Sequence, residues 1–209
     1  MENLIRINKK KTLGSANRHG QRGVSLPELV IVFFVIAIIV VLALPQILSS
    51  RRLFRFSGMQ RQVVASLREA RQEAMSQRAA VTFRYDDANK QLVIYGGSFG
   101  ARGDAKNRTL SIADEGLMPA EVVYGRPGGA PVAALADTSN LTALTNQAVE
   151  ITFQADGSVV DDSDVPVNKA LFFYNSKNPS GTAFAVSVLG AGGRVKIWRY
   201  SQGVNAYVE

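Results

Sequence analysis

The sequence predicts an α+β protein: a long N-terminal helix packed on an antiparallel, β-rich C-terminal head. Three observations predict it. Residues 29–44 are sixteen apolar side chains without a break. Beyond them Phe56, Met59, Val63, Leu67, Ala70 and Ala74 recur at spacings of three and four, one face of an amphipathic helix. After residue 80 the apolar period switches to two, as in half-buried strands.

The elements follow in order. Residues 1–23 carry six basic side chains and one acid, a charge of +5 in a chain whose total is +7. They hold no apolar core, and no Ala-x-Ala site follows the apolar run, so a common secretory signal is not expected. Basic residues ahead of a membrane helix predict a cytoplasmic N-terminus and a head on the far side. From Val24 to Leu44 the only strongly polar residues are Ser25 and Glu28. As a helix this stretch spans about 31 Å, the thickness of a bilayer's hydrocarbon core. A carboxylate at its edge is costly there and marks Glu28 as a functional candidate.

Pro45 follows the apolar run, and the helical pattern resumes after it, so a kink is expected at Pro45. The amphipathic half carries Arg51, Arg52, Arg55, Arg61, Arg68, Arg71 and Arg78 outside its apolar stripe, with Glu69 and Glu73 close enough to pair with several of them. The helix is expected to end near Gln77 and Arg78. A hairpin follows, 80–85 and 91–95 around a turn at 86–90. Further strand candidates are 109–112, 121–124, 149–153, 158–160, 170–174, 182–189 and 194–200. Residues 125–147, rich in Gly, Pro, Ala, Thr and Asn, read as a long surface loop. Arg102-Gly103-Asp104 lies in a polar loop and is too short a motif to carry meaning.

Composition excludes several chemistries. No cysteine is present, which removes disulfides, thiol catalysis and thiolate metal sites. The single histidine, His19, lies in the leader, so the head holds no Ser-His-Asp triad and no histidine metal site. No Walker loop or dinucleotide-binding glycine pattern occurs. Asp156, Asp161, Asp162 and Asp164 match no EF-hand spacing and read as a solvated loop rather than a calcium site. No cofactor, metal or enzymatic activity is expected. Charge is segregated: residues 51–84 sum to +6, 85–165 to −7 and 166–209 to +4. In the last strand Arg194, Lys196, Trp198 and Tyr200 alternate to one face, with Val195, Ile197 and Arg199 on the other. Basic and aromatic side chains together, Arg194, Lys196, Trp198 and Arg199, make this strand a candidate nucleic-acid surface.

Arg22-Gly23-Val24-Ser25-Leu26-Pro27-Glu28, running into an uninterrupted apolar helix, resembles the class III signal of the type IV pilin superfamily. The resemblance implies cleavage by a prepilin peptidase between Gly23 and Val24, and methylation of the new Val24 terminus, where the family's usual residue is Phe. It also implies that Glu28 pairs with a neighbouring subunit's N-terminus during assembly. Residues 67–74 running into 80–83, together with 151–158 and Gly193-Arg194-Val195-Lys196, resemble the FimT/GspH-type minor pilins and pseudopilins. That likeness implies a spine helix against two small antiparallel sheets.

The organisation expected is therefore a leader over 1–23, an assembly and membrane half of the helix over 24–48, its amphipathic half over 49–79, and a head over 80–209 with a variable loop at 125–148. The partners implied are prepilin peptidase, other pilins or pseudopilins, and the bacterial inner membrane, with the head periplasmic before the subunit joins a pilus or pseudopilus. Some FimT-like minor pilins bind DNA through a Gly-Arg-x-Arg-type motif, so DNA is a further candidate partner. Here Lys196 stands at the last position, keeping charge without the guanidinium fork. Secreted protein substrates are the candidate partner if the filament is a pseudopilus.

Overall fold

The computed structural model describes residues 24–96, 106–128, 134–161 and 163–209. The leader with Gly23, the Arg102-Gly103-Asp104 motif and Asp162 lie outside them. The chain divides into two units after Pro45, and each is described by itself.

In the first unit the apolar stretch is helical. Helix α1 (Leu26–Gln77) begins there and continues through Pro45, so the proline does not end it. Residues Leu26–Leu44 have a mean hydropathy of 3.0 and are long and apolar enough to cross a membrane. Phe33 and Phe34 are 63% and 69% exposed. So large an apolar surface calls for lipid or a protein partner rather than water.

In the second unit the remainder of α1 lies on two antiparallel sheets. The expected stripe Phe56, Met59, Val63, Leu67, Ala70 and Ala74 is buried throughout, and Val64 joins it. Arg51, Arg55, Arg61, Arg68 and Arg78 are exposed. The helix stops at Gln77, where Arg78 takes a left-handed conformation with φ of 51°. Glu69 reaches off the helix to Arg108 at 2.7 Å instead of pairing along it. The pair joins the helix to the strand at residue 108, and with both side chains partly exposed it is worth at most about 1 kcal/mol.

The first sheet contains β1 (Val81–Asp86), β2 (Gln91–Gly96), β3 (Lys106–Ser111) and β5 (Ala148–Phe153), in the order β3-β2-β1-β5. The second contains β4 (Val122–Tyr124), β6 (Lys169–Asn175), β7 (Phe184–Leu189), β8 (Arg194–Ser201) and β9 (Ala206–Val208), in the order β4-β6-β7-β8-β9. Alternation sets the buried faces: Val81, Phe83 and Tyr85 point inward from β1, Ile151 and Phe153 from β5, and Leu171 and Phe173 from β6. Tyr85 packs edge-on against Phe173, and Phe173 in turn meets Phe184. Burial drives the Tyr85 phenol well above its ordinary range, and its bond to Asp87 at 2.7 Å adds to the shift. Outward on the first sheet, Arg84 of β1 pairs with Glu150 directly opposite on β5 at 2.8 Å.

Four expectations are corrected. Residues 158–160 make isolated bridges, Val159 to Phe153 and Val160 to Pro166, rather than a strand, because the chain turns away to meet Gly190 and Val167. Thr182 ends a short helix, α2 (Pro179–Thr182), capped by Asn178, so β7 starts two residues later than expected. Ile112 opens a 3-10 turn instead of closing β3. The described parts of 125–147 are not merely a surface loop. Leu135 and Ser139 are buried, and Leu135 packs with Ala170, Phe172, Ala185 and Trp198 on the outer face of the second sheet. That face is apolar and needs a cover, which a stretch without periodicity supplies.

Candidate assembly helix and basic groove

Two candidate sites arise, one in each unit. At the start of α1, Ser25 and Glu28 form a reciprocal cap. The Glu28 N–H donates to Ser25 Oγ, and the Ser25 N–H donates to Glu28 Oε2, both at 3.4 Å. This capping box satisfies two backbone donors that the first turn leaves unpaired. Pro27, in that first turn, lacks an N–H that would have needed a partner. The negative charge of Glu28 also suits the positive end of the helix dipole. Sequence reading singled out Glu28 for its cost in a membrane and overlooked this cap, although the Ser-x-x-Glu spacing is its usual signature. Val24 is 66% exposed, immediately before the cap.

The second site is an open groove of about 1120 Å³ between α1 and β8. On the helix wall Arg68 and Arg71 lie one turn apart with Met75. On the strand wall are Arg194, Lys196 and Arg199, and Val195 and Ile197 lie between them. Among the described residues five cations thus line the groove with a single acidic side chain, that of Glu209. Val195 and Ile197 pack toward the main core, as strand alternation expects.

Trp198 departs from the sequence reading. It is 3% exposed, enclosed by Leu135, Phe172 and Ala185 on the outer face. Its Nε1–H donates to Ser187 Oγ at 2.8 Å, and the Ser187 hydroxyl donates to Asp137 Oδ2 at 2.5 Å. The indole is therefore a satisfied core ring, and its face is not open for a base to stack upon. Lys196 lies 5.2 Å from the Trp198 ring centroid and pairs with Glu209 at 2.9 Å. Arg194 and Arg199 are exposed. The sequence reading missed the helix wall: Arg68 and Arg71 were visible as part of an arginine run, but only tertiary packing brings them opposite β8.

Two turns close the end of this groove around Arg71. The Gln154–Gly157 turn and the Gly190–Gly193 turn meet there, with Gly157 and Gly193 at φ of 82° and 58°. A Cβ at Gly193 would lie 2.9 Å from Arg71 Nε and collide with the Gly157 carbonyl oxygen. The Arg71 Nε is buried without a hydrogen-bond partner among the described residues. Nearby, Asp156 accepts from the Ser158 hydroxyl and N–H, which together hold its carboxyl below the usual range. Asp161 accepts from the Val165 and Ser163 N–H groups. Their carboxylates are engaged in turn geometry. Among the described residues no cluster of three or more His, Cys, Asp or Glu side chains could hold a metal.

No family model and no curated protein matches this sequence. Among solved structures, the chain is similar to the type IV minor pilin FimU of Pseudomonas aeruginosa strain PAO1. In one crystal form the identity is 19%, covering 68% of this chain and 87% of that one, with a TM-score of 0.45. In a second crystal form the identity is 20%, covering 66% and 87%, with a TM-score of 0.40.

Proposed function

We propose that this chain is a membrane-anchored, non-enzymatic subunit of a type IV pilus or a type II secretion pseudopilus, a minor pilin or pseudopilin of the FimT/GspH type. The observation that carries the reading is the junction at Gly23. A basic leader gives way in one step to Val24, the Ser25–Glu28 cap and an exposed apolar helix. A plain signal anchor needs the leader and the helix but neither the glycine nor the glutamate. The leader charge favours a cytoplasmic N-terminus and a periplasmic head. Prepilin peptidase then removes residues 1–23, Val24 becomes the methylated terminus, and the helix enters a filament with other pilins.

Co-expression with a prepilin peptidase is expected to shorten the protein by residues 1–23, read by intact mass. Gly23→Val is expected to block the cut. A full-length mass in the presence of active peptidase overturns the proposal.

A second reading, that the subunit also holds DNA, is supported by the groove between α1 and β8. Five cations on two walls suit a phosphodiester backbone. Since Trp198 is buried, base stacking contributes nothing here, and binding is expected to be independent of sequence. Arg68→Ala with Arg194→Ala is expected to weaken binding of a 30-base-pair duplex about tenfold or more at low salt, by fluorescence anisotropy.

A further inference from the structure

We propose that Glu209 is an internal counter-ion of the basic groove, occupying Lys196 until a phosphodiester chain displaces it; this rests on the reading of the groove as a DNA site. Three observations meet here. Strand β9 pairs with β8 and delivers the next residue, Glu209, to the groove edge. The Glu209 carboxylate sits 2.9 Å from Lys196 Nζ, on one of the two cations of β8 that lie toward the outer face. Among the described residues Glu209 is the one acid on the groove's lining, which it shares with Arg68, Arg71, Arg194 and Arg199 as well as Lys196.

The two partners differ in exposure. The Lys196 side chain is 18% exposed, whereas that of Glu209 is 54% exposed. The lysine is held in place along the Trp198 ring, while the glutamate has water on one side and can swing away as a phosphate takes its place on the ammonium. An ion pair with one partner this exposed is weak and screened by salt. It is strong enough to occupy a cation in the absence of ligand and weak enough for a phosphate to replace it. The exchange has a thermodynamic signature. Each phosphate that a cation neutralises releases condensed counter-ions, so the slope of log K against log salt counts such contacts, at about 0.9 per contact. With Glu209 in place, Lys196 gives up one carboxylate as it gains one phosphate. Without it, the lysine meets the phosphate unpaired.

The test uses the full chain in zwitterionic detergent and a fluorescein-labelled 30-base-pair duplex over a salt series. The basic leader is common to every variant and cancels in the ratios. Glu209→Gln is expected to bind the duplex about three- to tenfold more tightly at about 50 mM salt, with a steeper salt slope. In a Lys196→Ala background Glu209→Gln is expected to give no gain, whereas an effect of net charge alone would give the same gain in both backgrounds. Thermal melts of the same samples report folding, which a change at so exposed a side chain leaves intact. If Arg68→Ala with Arg194→Ala weakens binding but Glu209→Gln changes neither affinity nor slope, the counter-ion role is overturned and the groove reading stands. If Arg68→Ala with Arg194→Ala leaves binding unchanged, the groove reading itself fails, and the counter-ion role with it.

Discussion

Replacing Glu28 with glutamine is expected to abolish entry into a filament while leaving cleavage at Gly23, membrane insertion and the head untouched. The argument separates two jobs of one carboxylate. Within the chain Glu28 accepts the Ser25 N–H and completes a capping box. Glutamine serves in the same position of such a box, so Glu28→Gln preserves the cap while removing the charge. Between subunits the proposed role is pairing with a neighbour's free N-terminal ammonium, where both charges are withdrawn from water. Removing one partner of such a pair leaves the other buried and uncompensated, at about 3–5 kcal/mol. At 1.4 kcal/mol per tenfold, that is a loss of about two to three and a half orders of magnitude in association. The matched variant is Ser25→Ala, which keeps the charge and loses the cap's hydroxyl. It is expected to cost about 1 kcal/mol locally and to assemble. Immunoblots of sheared filaments against membrane fractions read both variants. If Glu28→Gln enters filaments as well as the unaltered protein, the charge pair is not what drives assembly.

Much of this fold can be read in the residues before any coordinates. The stripe from Phe56 to Ala74 is buried as its period of three to four requires, and the hairpin of β1 and β2 lies where alternation ends at a polar turn. Both signals are local: side chains of one element report which of its faces is covered. What was not legible is non-local. That Trp198 is enclosed depends on Leu135, far off in a stretch with no period, crossing over the second sheet. That Arg68 and Arg194 line one groove depends on where the helix is laid relative to a strand 126 positions away. Strand β9 is three residues long, too short for a pattern to establish itself. The groove could therefore be half seen, as a basic last strand. Its other wall, and the carboxylate set within it, belong to the tertiary fold.

The Gly193-Arg194-Val195-Lys196 segment invites the view that its glycine serves binding along with its cations, and Gly193→Ala separates the two. Gly193 has φ of 58°, in the left-handed region, where a side chain costs about 1–2 kcal/mol. Its missing Cβ also makes room for two neighbours, the Gly157 carbonyl oxygen and the Arg71 side chain. The first is backbone, held by Gly157 N–H to Gln154 O at 2.8 Å, and cannot rotate aside. Arg71 is flexible, but its Nε is already buried. Forcing an extra carbon into such a site adds about 1–3 kcal/mol. Gly193→Ala is thus expected to destabilise the head by about 3 kcal/mol, lowering its melting temperature by roughly 6–12 °C for a domain of this size. Gly192 is the control, since a Cβ there meets nothing within 4 Å and its φ is not left-handed. Gly192→Ala is expected to stay within about 0.5 kcal/mol of the unaltered protein. Equal melting temperatures for the two variants would mean that the turn relaxes freely and that Gly193 does not close the junction of helix, Gly157 turn and last strand. The expected difference would assign the glycine to folding and leave Arg194 and Lys196 to meet whatever the groove binds.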